Sequence, residues 1–537
     1  MGAMRFSKSR LASALLSSAA IVLGTAVAAY ADTPKDTVVM AKQIDDIISL
    51  DPGEAFEFSG GEADGNVYER LVYYDLKNVA KMYGALAETY GVGPDGKTYT
   101  FKLRSGIKFS SGNPVTAADV VYSIQRAVIM NKTPGFILTQ FGFTKDNVAD
   151  RVKAPDAMTV TLETDKKYAP SFFYYCLTGV VSSIVDAATV KQHEQNGDFG
   201  NDWMKTHSAG SGPYVIRSWK ANESYVLDAN PNYHGTAPLT PHVIVRHIKE
   251  VATQRLLLEK GDVDYARDLG KDELEAVSKN PDIAFDQGVK GAITYLGLNQ
   301  KNEFLKKPEV VEALKYLVDY DGIQNNILKG VRTVHQSFLP LGFLGAIDDK
   351  PYKFDLAKAK ALLAKVGLAD GFSVKMDVRS QYPSVDIAQA LQASWAQAGI
   401  KLELIQGDGK QVITKYRARN HEIVILDWGP DYQDPHTNAQ TFASNFDNSD
   451  ASTTKTLAWR NSWDIPEMSK KTQAAVEEFD AEKRATLYQD IQREHQKVSP
   501  FVIMFQQIEV AAHRKTVGGF IVGPANDNNW YSGIKKQ

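Results

Sequence analysis

Three carboxylates, two aromatic rings and a Gly-Pro break fall within the eleven residues Asp427-Trp428-Gly429-Pro430-Asp431-Tyr432-Gln433-Asp434-Pro435-His436-Thr437. Carboxylates at this spacing, with the rings of Trp428 and Tyr432 among them, can hold an amine or a polar ligand. Asp and Pro also cap and terminate elements, and for the stretch in isolation that plainer reading comes first. The three acids would suit a glycosidase pair. Other catalytic signatures are missing: the ten histidines are scattered, and there is no H-E-x-x-H, no Cys/His cluster at zinc spacing and no G-x-S-x-G. His421 precedes the stretch and His436 lies near its end, but lone histidines there read as surface residues rather than metal ligands. Neither catalysis nor a cofactor or metal is expected.

Elements must position these groups. The apolar run Ile423-Val424-Ile425-Leu426 reads as a buried strand that ends where the stretch begins. Val38-Val39-Met40-Ala41 reads as a short strand, followed by Ile47-Ile48-Ser49-Leu50-Asp51-Pro52, which the proline stops. Phe58-Ser59-Gly60-Gly61-Glu62 reads as a turn into a helix carrying Val67, Leu71 and Val72 and ending at Tyr73-Tyr74-Asp75; Ser59 and Gly60 could let a ligand approach the backbone, although a helix entry is the plainer reading. Tyr99, Phe101 and Leu103 alternate after an Asp-Gly turn, which predicts a half-buried strand. Thr116 with Asp119 three residues on predicts a capped amphipathic helix. Strands such as Val243-Ile244-Val245 and helices over 356–366 and 385–398 complete an α/β pattern. Gly210-Ser211-Gly212 lacks the third glycine of a dinucleotide fingerprint and leads into a strand, not a helix.

The chain has 537 residues, 43% of them hydrophobic, 10% aromatic and 23% charged, which is the composition of a globular protein with room for two to four domains. Arg5, Lys8 and Arg10, the apolar run over 11–27 and Ala29-Tyr30-Ala31 form the n-region, h-region and cleavage pattern of an export signal over residues 1–31. Serines and a glycine break the run, which is too short to span a bilayer at about 20 apolar residues. Loss of its three basic residues takes the formal charge from −3 to −6, so no nucleic-acid surface is implied. No cysteine follows the h-region, which argues for a free periplasmic protein and against a lipoprotein. Cys176 stands alone, so no intrachain disulfide can form, and it reads as a buried small hydrophobe.

Five blocks carry a resemblance: Tyr68-Glu69-Arg70-Leu71-Val72-Tyr73-Tyr74-Asp75, Leu86-Ala87-Glu88-Thr89-Tyr90, 95–104, Gly106-Ile107-Lys108-Phe109 and Asp119-Val120-Val121-Tyr122-Ser123. In order and spacing they resemble family 5 extracellular solute-binding proteins, the dipeptide, oligopeptide and nickel receptors of ATP-driven importers. Segments 208–216, 230–235, 252–264, 295–299 and 310–321 extend the likeness over the mature chain. The resemblance implies a two-lobed periplasmic-binding-protein fold of type II, in the large class with an extra subdomain. It places lobe I at 33–60, 187–285 and 510–537, the extra subdomain at 61–186 and lobe II at 286–509. Crossings near 280 and 510 would hinge the lobes, with the ligand cleft between them.

The resemblance also implies roles. In the peptide receptors a loop with the order Trp, two residues, Asp holds the peptide ammonium, and Trp428 and Asp431 match it. Those receptors hold the ligand carboxylate with an arginine about 17 residues before a helix tryptophan. Counting back from Trp395 reaches Val378, so Arg379 is the candidate, displaced by one residue, and equally readable as a loop arginine. The expected function is delivery of a solute, a di- or oligopeptide first, to the permease of an ABC importer. An opine, oligosaccharide, haem or nickel chelate is the alternative cargo, and the receptor is expected to act as a monomer without membrane insertion.

Overall fold

A computed structural model describes residues 33–537 apart from Lys77, Asn78, Ala80 and Thr453; the export signal lies outside the described residues. One sheet of eleven strands runs through the molecule. Its order is Lys401–Gly407, Ser373–Arg379, Ile423–Trp428, Ile283–Leu298, Phe501–Arg514, Tyr265–Ala266, Thr37–Lys42, His242–His247, Ser224–Ala229, Tyr214–Lys220, with Arg332–Val334 pairing off the path to Phe501–Arg514. A separate antiparallel sheet joins Ala87–Val92, Thr98–Leu103, Thr159–Glu163 and Val152–Asp156.

Strands of the large sheet are covered on both faces, which is why their sequences run apolar without a break. Ile423 and Ile425 pack into one core and Val424 and Leu426 into another. Val38 and Met40 likewise enter a different core from Val39 and Ala41. The antiparallel sheet closes a core of its own from Leu71 to Ile184, which Tyr432 and Val476 join from the other half of the molecule. Cys176 is buried there as a free thiol. Asp119 accepts from the Thr116 amide at 2.9 Å and starts the helix Ala117–Met130.

Two readings of the N-terminal segment are corrected. No strand forms at Ile47 to Leu50; Asp51 there is buried and bound by both terminal nitrogens of Arg126, at 2.7 and 2.6 Å. The helix comes earlier than its apolar spacing implied, at Phe58–Gly65, and Val72–Tyr74 is a strand paired with Met82–Gly84. A β-branched and aromatic run suits a strand, and three apolar positions do not fix a helical period. Gly65 lets the helix end against the backbone of Asp527, whose carbonyl oxygen would lie 2.1 Å from an added Cβ.

Residues 285 and 510, proposed as lobe boundaries, fall inside the two longest strands, Ile283–Leu298 and Phe501–Arg514, which pair antiparallel over most of their length. Their register breaks twice: between Val289 and Ile293, opposite Ile508 and Gln506, where two extra residues bulge out, and again between Thr294 and Tyr295, opposite Phe505 and Ile503. Position 61 also falls within the helix Phe58–Gly65, and Ala63, Val67 and Tyr68 pack with the strand Thr37–Lys42 rather than with the antiparallel sheet.

Candidate functional site

The strand Ile423–Trp428 delivers its last side chain, that of Trp428, to a cleft of about 310 Å³. Gly429-Pro430 ends the ladder, and the chain turns through Asp431, Tyr432 and Gln433 along the cleft wall. Asp434 accepts from the His436 amide at 2.9 Å at the start of the helix His436–Ala443. Facing this wall are Phe56, Glu57 and Phe58 at the entry to the first helix and residues 524–527 near the C-terminus. Lys290 and Gly291 of the bulge reach the same cleft.

The three loop carboxylates do different things. Asp427 takes Arg332 at 3.1 and 3.0 Å and the Thr294 hydroxyl at 2.7 Å. Asp434 is fully buried and takes Arg484 in a bidentate pair at 2.6 and 2.7 Å. Both are structural. Asp431 alone has no donor on its carboxylate; only its backbone amide is engaged, donating to Thr437 Oγ1 at 3.1 Å. Its side chain borders the cleft and is otherwise enclosed by protein, and that burial pushes its pKa up to about 7 against a weaker opposing pull from Arg460. A carboxylate held this way is poised to gain from a cation entering the cleft.

Trp428 presents a half-buried indole to the cleft, held by a hydrogen bond from Nε1 to Asn438 Oδ1 at 3.2 Å. Tyr432 lines it too, with its ring 5.7 Å from that of Phe172. Ser59, Gly60 and Arg379 do not line it. Ser59 is buried, with its amide on Asp46 Oδ2 at 3.0 Å; Gly60 packs against the Ser49 carbonyl, and the neighbouring Gly61 lines the cleft instead. Arg379 ends the strand Ser373–Arg379 and lays its guanidinium over Gly409, so the geometry does not bring it to the cleft as a carboxylate anchor. His421 and His436 are buried rather than on the surface, and desolvation takes their pKa values down to about 4 and about 3. Among the described residues no three His, Cys, Asp or Glu side chains converge to hold a metal.

Sequence reasoning missed Glu57, Phe58, Lys290, Gln433 and Asp527. Gln433 lay within the loop singled out, while no local pattern marks Lys290 or Asp527. Lys290 Nζ donates to the carbonyls of Gly523 and Ala525 at 2.7 and 3.1 Å and to Asn529 Oδ1 at 2.8 Å, and it pairs with Glu509 at 3.0 Å. The bulge is thereby tied to the C-terminal segment. Glu509 and Glu62 share Arg267 behind it, in a buried ion network.

Two covered halves of one sheet, joined through long strands and enclosing a cleft with an unpaired carboxylate, define a receptor for a small solute. The chain belongs to the bacterial extracellular solute-binding proteins, family 5, whose pattern matches residues 81–450. Members of this family bind peptide or small-molecule solutes and work with the permeases of ABC importers. A probable D,D-dipeptide-binding periplasmic protein, DdpA, of Escherichia coli K12 is 30% identical over 512 residues, covering 94% of this chain and 95% of that one. The dipeptide-binding protein of the same organism is 24% identical over 481 residues, 86% of this chain and 88% of the relative. The solved structure of DppA from Helicobacter pylori with the peptide STSA shares the fold at a TM-score of 0.77 and 24% identity, over 93% of this chain and 98% of that one.

Proposed function

We propose that this chain is a periplasmic receptor that carries short peptides, or other small solutes with a free amine, to an ABC importer. The observation that carries the reading is Asp431: of the three carboxylates in its loop it alone has no counter-ion, and it borders the cleft. It takes the ligand ammonium, with the indole of Trp428 and the ring of Tyr432 as apolar walls. The lobes close about the bulge between Val289 and Ile293. The leader is removed, the mature chain is free and monomeric, and it releases its ligand unchanged. The names of the E. coli relatives support peptides as the cargo class.

Calorimetry with D-Ala-D-Ala and a panel of L-dipeptides tests this. Asp431→Asn keeps the shape but leaves an ammonium buried without its counter-ion, at a cost of about 3–5 kcal/mol, or about two to four decades in affinity. N-acetylation of the peptide should weaken wild-type binding by the same route, and the two changes together should cost less than their sum. Equal affinity of Asp431→Asn and wild type for a free-amine peptide removes the ammonium assignment.

A further inference from the structure

The cleft is one-sided in charge. Glu57, Asp431 and Asp527 line it as acids, and Lys290 is the one cationic side chain among its lining residues. Lys290 has nothing to offer a ligand: its three N–H donors face four acceptors, the carbonyls of Gly523 and Ala525, Asn529 Oδ1 and Glu509. Drawing it outward would break these contacts together and leave Glu509 with Arg267 as its remaining ion pair. Of the nearby guanidiniums, Arg332 is on Asp427 and Arg70 is fully buried beneath Asp527 at 3.3 Å, while Arg379, over Gly409, and Arg460, whose charge is felt at Asp431, lie outside the lining of the cleft. A ligand carboxylate entering this cleft meets three acids and, among the lining residues, no cation that is free to take it.

Neutral donors are available instead. Gln433 is 5% exposed, lines the cleft and makes no hydrogen bond through its amide, with Nε2 left buried and unpartnered. Two residues along the chain from Asp431, it can serve a carbonyl next to the ammonium that Asp431 takes.

Resting on the amine reading above, we propose that the cleft selects ligands by their amino end alone: a cationic α-amino carbonyl compound, with Asp431 on the ammonium, Gln433 on the first carbonyl and no position for a free α-carboxylate. In peptide terms it favours ligands that carry net positive charge there, either amidated at the C-terminus or long enough to leave the carboxylate outside.

Calorimetry on the full mature protein with Ala-Phe, D-Ala-D-Ala, their C-terminal amides and N-acetyl-Ala-Phe amide decides this. Each amide should bind at least about tenfold more tightly than its free acid, because the acid places like charges together in a closed site. Any smaller advantage, or the reverse order, overturns the proposal and leaves the amine reading intact, provided that N-acetylation still abolishes binding. If no free-amine probe binds in either form, both readings fall. Gln433→Leu breaks no internal hydrogen bond and should leave the melting temperature unchanged while weakening the amides about tenfold. Unchanged affinity in that variant overturns the role of Gln433.

Discussion

Asp431 is a group whose charge is expensive until a ligand arrives. Its pKa of about 7 lies above the usual carboxylate value, so the folded, empty protein holds that proton more tightly than the unfolded chain does. The stability penalty is therefore complete above pH 7 and fades as pH falls toward 4. Asp431→Asn should melt about 2 °C or more above wild type at pH 8, with the gap narrowing steadily in acid, as scanning calorimetry would record. Ligand binding runs the other way. An ammonium needs the ionised carboxylate, so wild-type affinity should drop about tenfold per pH unit below 7, and binding at pH 7 should release a fraction of a proton. Titrations in buffers of different ionisation enthalpy measure that release. A flat pH profile would separate Asp431 from the ligand. Nothing in the local sequence distinguishes Asp431 from Asp427 and Asp434, because their partners Arg332 and Arg484 lie 95 and 50 residues away.

At the scale of elements, the bulge in the long antiparallel pair is the feature on which closure depends. Gly291 sits in it beside the paired strand Ile423–Trp428, and a Cβ there would stand 3.0 Å from Cγ of Pro430, two residues past the end of that strand. Its backbone is not left-handed, so a side chain costs little in local strain. Gly291→Val should therefore push against Pro430 and Phe343, lowering the melting temperature by a few degrees and displacing the loop that carries Asp431, with ligand binding weakened about tenfold. Parallel calorimetry and melting curves check both halves, and unchanged affinity would exclude the bulge from closure. Long, evenly patterned elements such as Ala117–Met130 and Thr98–Leu103 were legible because capping and alternation are local signals. The helix Phe58–Gly65 was not, since its glycines are unfavourable to a helix and are retained for close approach to Ser49 and Asp527. The same misplacement cost the reading of Ser59 and Gly60, which face the packed side of that helix.

On the whole molecule, the two sides of the cleft touch at several points beyond the ligand space. Lys166 pairs with Glu477 at 2.9 Å, the Ala169 amide donates to the Val476 carbonyl at 3.3 Å, and Arg484 donates to Ser171 Oγ at 3.2 Å. Phe172 lies against Tyr432 and His436. This is a closed arrangement, and a filled cleft should populate it. Small-angle scattering should show the radius of gyration falling when a bound peptide is added to an open, ligand-free protein; an open protein that stays equally extended at saturation would refute closure. The sequence by itself determined the α/β class, the family likeness and the loop that carries Asp431, because hydrophobic period, capping and motif spacing are written in neighbouring residues. Only the tertiary structure decided which carboxylate is free, that Arg379 misses the cleft and that Lys290 is sequestered. Those outcomes depend on partners from some thirty to more than two hundred residues apart, brought together by a sheet whose two central strands are separated by some two hundred residues of chain.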